Sequence, residues 1–194
     1  EQGFGDSVSF CFTDVRNEEE VEKLVAFTAE TYGSLDIFVN SAAIWNYAKV
    51  YDLPKEDLAL IFETNVYGAF FGVKHVSKYM KEHEIPGKIV LISSNSPIMP
   101  YPVFGGYPHY ASSKAAVMGL ATEAAKELKR YGIMVNSIAP GGMVTPGSAG
   151  NMASESLTEE QQDEFYDELM VWQTDGQQPV DEVAIIAYAL ATPM

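Results

Sequence analysis

Hydrophobic positions in this chain fall into short unbroken runs, separated by longer stretches where they recur every three or four residues. "SVSFCFTDV" at 7–15 is the first run and predicts a strand. "NEEEVEKLVAFTAETYG" at 17–33 follows, with Val21, Leu24, Val25 and Thr28 at helical spacing and Gly33 as the stop. "LDIFVN" (35–40), "KIVLISS" (88–94) and "IMVNSIA" (133–139) read as further strands. Residues 55–82 and 107–131 read as helices, the second ending at Gly132. Strands that are apolar throughout and alternate with helices indicate a parallel sheet covered on both faces. The expected fold class is α/β, a doubly wound parallel sheet in one domain spanning residues 1–194, without internal repeats. Ligands of such sheets lie at the carboxyl ends of the strands. Asp14, Asn40, Ser94 and Pro140 all fall at such ends.

One helix is unusual. From Thr64 to Val73 it carries no charge, and its apolar residues go most of the way round. Such a helix needs a second cover beyond its own sheet, with a subunit interface as the simplest candidate and a large loop as the alternative. Asn65 sits within it, a poor helix former whose amide must find partners when buried.

Composition narrows the function classes. The chain has 194 residues, 47% hydrophobic and 20% charged, which is globular in character. Its net charge of −15 disfavours nucleic acid or an anionic membrane surface as partner. No apolar run reaches the roughly 20 residues of a membrane helix, and no signal peptide is expected. Cys11 is the lone cysteine, which suits a reducing cytosol. Neither it nor His75, His83 and His109 has metal-ligand spacing, so no metal is expected. Residues 141–180 hold eight acids and no Lys or Arg. By itself that segment reads as a solvated acidic helix face; set over a pocket, it would disfavour strongly anionic substrates and favour a neutral one.

"YPHYASSKAA" at 107–116 brings candidate chemistry. Tyr110 and Lys114 lie four apart in a strongly helical stretch, so they share a face. A lysine beside a phenol stabilises the phenolate and draws the tyrosine from its usual pKa of about 10 toward working pH. Such a tyrosine can give a proton to a carbonyl oxygen or take one from an alcohol. Tyr51 and Lys55 repeat the spacing, but Pro54 between them argues against a shared helical turn. Ser94, sixteen residues before Tyr110, ends a strand and has a hydroxyl that can both donate and accept.

In order along the chain, "TDV", "VNSAA", "NVYG", "GKIVLISS", "YASSK" and "NSIAPGGMVT" resemble the short-chain dehydrogenase/reductase family. The resemblance covers essentially the whole length. It implies a Rossmann-like fold, NAD or NADP as cofactor, and hydride exchange between nicotinamide and an alcohol or carbonyl carbon. It also implies roles: Tyr110 as acid/base, Lys114 lowering the tyrosine pKa and binding the nicotinamide ribose, and Ser94 orienting the substrate oxygen. Asn65 would link Lys114 to solvent through a water on its backbone carbonyl. Asp14 and Val15 would contact adenine, Asn40 and Ala42 would support and line the cofactor, and Pro140, Gly141 and Thr145 would touch nicotinamide and phosphates. Tyr101, Phe104, Tyr107 and Met143 would contact substrate, with Trp45, Tyr47 and Trp172 making the pocket partly apolar. A homodimer or homotetramer built on residues 56–82 and 107–131 is expected, acting on a neutral polyol, sugar, cyclic alcohol or steroid in the cytoplasm.

The chain departs from the family pattern in places. "NSAA" stands where N-N-A-G is usual, which implies a local change beside the cofactor. The loop "NSPIMPYPVFGGYPH" is about three residues longer than the family's. His109 in it reads as a pocket-edge or surface residue rather than a second catalyst. The glycine-rich turn after the family's first strand is absent from these 194 residues, as are its second strand and its last. The sheet is therefore expected to be incomplete at both ends, with further residues before Glu1 and after Met194. In the family's strand order, 3-2-1-4-5-6-7, the strands at 7–13 and 35–40 would stand roughly 14 Å apart with two absent strands between them. A 3-ketoacyl-carrier reductase is the enzyme alternative. A non-catalytic scaffold of the same fold is the alternative of another class.

Overall fold

The computed structural model describes residues 7–99, 107–143 and 180–192. Three parallel strands form its sheet, in the order β1 (Ile37–Asn40), β2 (Lys88–Ile92), β3 (Met134–Ile138). Ile37 pairs with Lys88 and Asn40 with Leu91, while Lys88 pairs with Met134 and Ile92 with Ile138. All three carboxyl ends therefore open on one rim.

The helices form where local chemistry permits. α1 (Glu18–Tyr32) starts at Asn17, whose side chain accepts the Glu19 N–H at 3.1 Å. Three glutamates in its first turn favour the positive end of the helix dipole, and Gly33 closes it at φ +84°. α2 (Lys55–Phe62) and α3 (Gly68–Glu82) follow, then α4 (Pro108–Leu128) and α5 (Val180–Ala191).

Side-chain alternation along β2 divides the core. Ile89 and Leu91, fully buried, join Val135 of β3 against Val25 of α1, Val73 and Val76 of α3, and Val117 and Ala121 of α4. On the opposite face Val90 and Ile138 pack with Val183, Ala187 and Leu190 of α5. Helices thus cover both faces, as the doubly wound reading required. Burying side chains of this size stabilises by about 1.5–3 kcal/mol each. Among the described residues, no helix is long and apolar enough to cross a membrane.

Two expectations are corrected. Residues 8–13 are no strand: Val8, Phe10 and Phe12 are exposed, and the segment joins no ladder among the described residues. Its β-rich composition cannot make a strand without a neighbour to take its backbone hydrogen bonds. It is not paired with β1, which among the described residues is bonded only to β2. Second, 55–82 is not one regular helix. A π-turn, Glu63–Tyr67, separates α2 from α3, with the Gly68 N–H donating to Glu63 O.

That turn also changes the reading of Thr64–Val73. Val66, Ala69 and Val73 are buried within the chain itself. Val15 packs so closely on Gly68 that a Cβ there would lie 2.8 Å from its Cγ2, and the Phe38 ring closes similarly on Gly72. Tyr67 and Phe70 alone among the large side chains of this stretch stay about half exposed.

Candidate active site

The rim is built from the last residues of β2 outward. Ser93, just past the strand, donates its N–H to Ile138 O at 2.7 Å, and the Asn95 N–H reaches Pro140 O at 2.9 Å. These bonds continue the β2–β3 ladder beyond the sheet and fix the two loops to each other. Ser93 Oγ donates to Lys114 O at 2.8 Å. Lys114 Nζ in turn donates to Ile92 O at 2.9 Å. Side chain and backbone are thus exchanged between strand end and helix.

Lys114 is 3% exposed, and burial pushes its ammonium down to a pKa of about 8. Its Nζ stands 5.7 Å from the centroid of the Tyr110 ring. α4 makes this possible: Pro108 at its first position presets φ, and from there the helix puts Tyr110 one turn before Lys114. Ser94 is half-buried, and its Oγ accepts the Ser96 N–H at 3.1 Å, leaving the hydroxyl hydrogen to donate. The structure therefore brings Ser94, Tyr110 and Lys114 to one rim.

Asn65, 1% exposed, occupies the π-turn. Its Oδ1 accepts the Ile44 N–H at 2.8 Å, and its Nδ2 donates to Ile44 O at 2.9 Å and to Ser113 Oγ at 3.0 Å. Ser113 Oγ donates on to Tyr110 O at 2.7 Å. The side chain thus ties the loop after β1 to the helix of Tyr110. Turns of this kind are frequent at functional sites.

Elsewhere on the rim the residues are less concentrated. Asp14 is held by Arg16, whose Nη2 reaches Oδ2 at 2.6 Å, and the Arg16 side chain pulls its carboxyl down to about 2. Glu20 accepts the Asp14 N–H at 2.8 Å. Val15 packs on Gly68. Asn40 is buried at the end of β1, Ala42 is half-buried, and Pro140 and Gly141 follow β3 beside Asn95. Met143 packs against the Val90, Ile138 and Val183 cluster. Tyr101, Phe104, Thr145 and Trp172 lie outside the described residues.

An aromatic wall adjoins Tyr110. Tyr107 meets it edge-on at 5.6 Å between centroids, and Trp45 and Tyr47 approach Tyr107 at 6.3 and 5.5 Å. His109 is corrected here: at 2% exposure it is an interior residue, not one of the pocket edge or surface. Sequence reasoning missed Ser93 and Ser113 as supports. Their signal was doubled serine, in "ISS" and "ASSK", of which one member each turns inward.

A family model for short chain dehydrogenases matches residues 1–170. (+)-Borneol dehydrogenase 2 of Salvia officinalis is 35% identical over 170 residues, 84% of this chain and 57% of that protein. Zerumbone synthase of Zingiber zerumbet is 39% identical over 145 residues, 72% of this chain and 52% of that protein. The chain spans a little over half the length of these curated relatives. Among solved structures, levodione reductase superposes with a TM-score of 0.80 at 29% identity, covering 93% of this chain and 68% of that one. NAD+-bound xylitol dehydrogenase gives 0.79 at 26% identity, with 93% and 71% covered. Ordered motifs, a doubly wound sheet and the family match agree: the chain belongs to the short-chain dehydrogenase/reductase family.

Proposed function

We propose that the protein is an NAD(P)-dependent oxidoreductase interconverting a secondary alcohol and a ketone, with Tyr110 as the acid/base. One observation carries this reading: Lys114 is buried, tethered to Ile92 O, and set beside the Tyr110 ring. With a pKa of about 8 it is about nine-tenths charged at neutral pH. That cation stabilises the Tyr110 phenolate. In the oxidative direction Tyr110 takes the proton from the alcohol hydroxyl; in the reductive direction it protonates the carbonyl oxygen. Ser94 donates its hydroxyl hydrogen to the same oxygen and holds it within reach.

The residues present suit the nicotinamide half of such a cofactor. Lys114 Nζ has three N–H groups, of which Ile92 O takes one, and Asn95 Oδ1, beside Pro140 and Gly141, and Ser96 Oγ are buried without a partner among the described residues. The bound nicotinamide supplies or accepts the hydride. Lys114 would hold its ribose, with Pro140, Gly141 and Thr145 against the ring and phosphates, Asn40 and Ala42 beneath, and Asp14 and Val15 at the adenine. Tyr101, Phe104, Tyr107 and Met143 would contact substrate. The aromatic wall and the acidic segment favour a neutral, partly apolar substrate. Names among the relatives, borneol dehydrogenase and levodione reductase, are in keeping with a cyclic one. A homodimer or homotetramer in the cytoplasm completes the reading, with Tyr67 and Phe70 as the apolar strip for association.

A screen of neutral secondary alcohols with NAD and NADP, followed at the reduced nicotinamide absorbance, tests the proposal in the full-length protein. Reduction of one cofactor with a cyclic alcohol or polyol is expected. Absence of cofactor binding in a titration would instead favour a scaffold of the same fold.

A further inference from the structure

The interior imidazole next to Tyr110 is the strongest feature that this chemistry leaves unused. His109 Nε2 lies 2.7 Å from Asn46 Oδ1, and Asn46 Nδ2 donates to Asp57 Oδ2 at 2.8 Å. The carboxylate can only accept, so it takes the amide NH2 and turns the amide oxygen toward the histidine. The imidazole must then donate from Nε2. Its other nitrogen, Nδ1, is buried without a partner among the described residues. Burial lowers the pKa of His109, while the nearby Asp57 charge opposes that shift. A neutral ring with one tautomer results. A residue kept only for packing would be better served here by leucine, which leaves no buried nitrogen unpaired.

The tether joins three elements. His109 stands in the first turn of α4, Asp57 in the first turn of α2, and Asn46 in the loop after β1. Asn46 lies between Trp45 and Tyr47, the rings that pack on Tyr107 and through it on Tyr110. We propose that His109 is a positioning residue: by donating Nε2–H to Asn46 it fixes the Trp45–Tyr47 segment, and so sets the aromatic wall against which substrate meets Tyr110. The proposal rests on Tyr110 as the acid/base but concerns a residue that touches no reacting atom. Glutamine can place an N–H near the position of Nε2; leucine cannot.

The test uses the full-length protein. Histidine 15N correlation spectra at pH 7 should show His109 neutral with the proton on Nε2. The Trp45 indole resonance, assigned by its loss in Trp45→Phe, should shift in His109→Leu and stay near its wild-type position in His109→Gln. With the alcohol identified by the screen above, His109→Leu should raise KM about tenfold while kcat changes less than threefold, and His109→Gln should restore KM. If His109→Leu does not fold, Asn46→Ala removes the same bond from the half-buried end and should give the same indole shift. A proton on Nδ1, an indole resonance unmoved by His109→Leu or Asn46→Ala, or equal shifts in the Leu and Gln variants would overturn the proposal. The resonance readouts need no turnover, so an inactive protein would count against the oxidoreductase reading and leave them standing.

Discussion

Tyr110 and Lys114 are four residues apart, and so are Tyr51 and Lys55, yet the molecule treats the two pairs differently. Tyr51 lies in a turn, 75% exposed, and Pro54 caps the helix that Lys55 begins. Both members of that pair face water, where a lysine charge is screened and freely hydrated. Tyr110 and Lys114 share one helix, with the ammonium buried and bonded to the end of β2. Spacing is common to both. What differs is desolvation, which makes a nearby cation matter to a phenol.

Tyrosine replacement sharpens this contrast most. Tyr110→Phe is expected to lower turnover by about 10²–10⁴-fold while cofactor affinity holds, because only proton transfer is removed. Steady-state rates and cofactor titration of the full-length protein measure both. Tyr51→Phe should leave the rate within about twofold. Equal losses would break the comparison.

Replacing the lysine separates catalysis from stability. Lys114→Met should reduce turnover about a hundredfold or more. It should also stabilise the fold by about 3 kcal/mol at pH 7, because a charged group held down to about 8 is a burden on the folded state. The sign follows from proton counting. Between pH 8 and 10.5 the unfolded chain binds more protons at this site than the folded one, so wild-type stability rises with pH across that window. In Lys114→Met that contribution is gone, and the gap between the two proteins should narrow from pH 7 to 10. Urea midpoints at both pH values check it.

The smallest effect belongs to the amide that ties the pair's helix to the loop after β1. Asn65→Ala should destabilise by about 2 kcal/mol, since both backbone groups of Ile44 and the Ser113 hydroxyl lose a partner. Thermal melting measures it. A change below about 0.5 kcal/mol would mean water replaces the amide readily.

Elements whose order is local were legible in the sequence. α1 announced itself through Val21, Leu24, Val25 and Thr28 at helical spacing and through Gly33, and α4 through its run of helix formers. β2 was evident because a strand buried on both faces is apolar throughout. Residues 8–13 have the same composition, but a strand is a relation between segments, and nothing in Phe10 or Phe12 reveals whether a neighbour is present. The π-turn was hidden for a related reason. Asn65 signalled a buried amide, but its partners, Ile44 and Ser113, are 21 and 48 residues away. An unbroken helical phase through 63–67 therefore makes Thr64–Val73 look apolar most of the way round. Of the candidate site, Ser94, Tyr110 and Lys114 could be read from spacing. The tether of His109 could not, because Asn46 and Asp57 have no periodic relation to it.

The reciprocal bonds between strand end and helix separate two kinds of variation. Ser93 Oγ holds Lys114 O, and Lys114 Nζ holds Ile92 O. Two links running in opposite directions stop the helix from sliding along the strand or turning about its own axis, and neither passes through the intervening segment. Residues 97–106 can therefore change in length or composition without dragging Tyr110 out of register. A lineage could lengthen that loop to fit a new substrate while inheriting the proton chemistry intact. Loop grafting between relatives is the engineering use of the same independence.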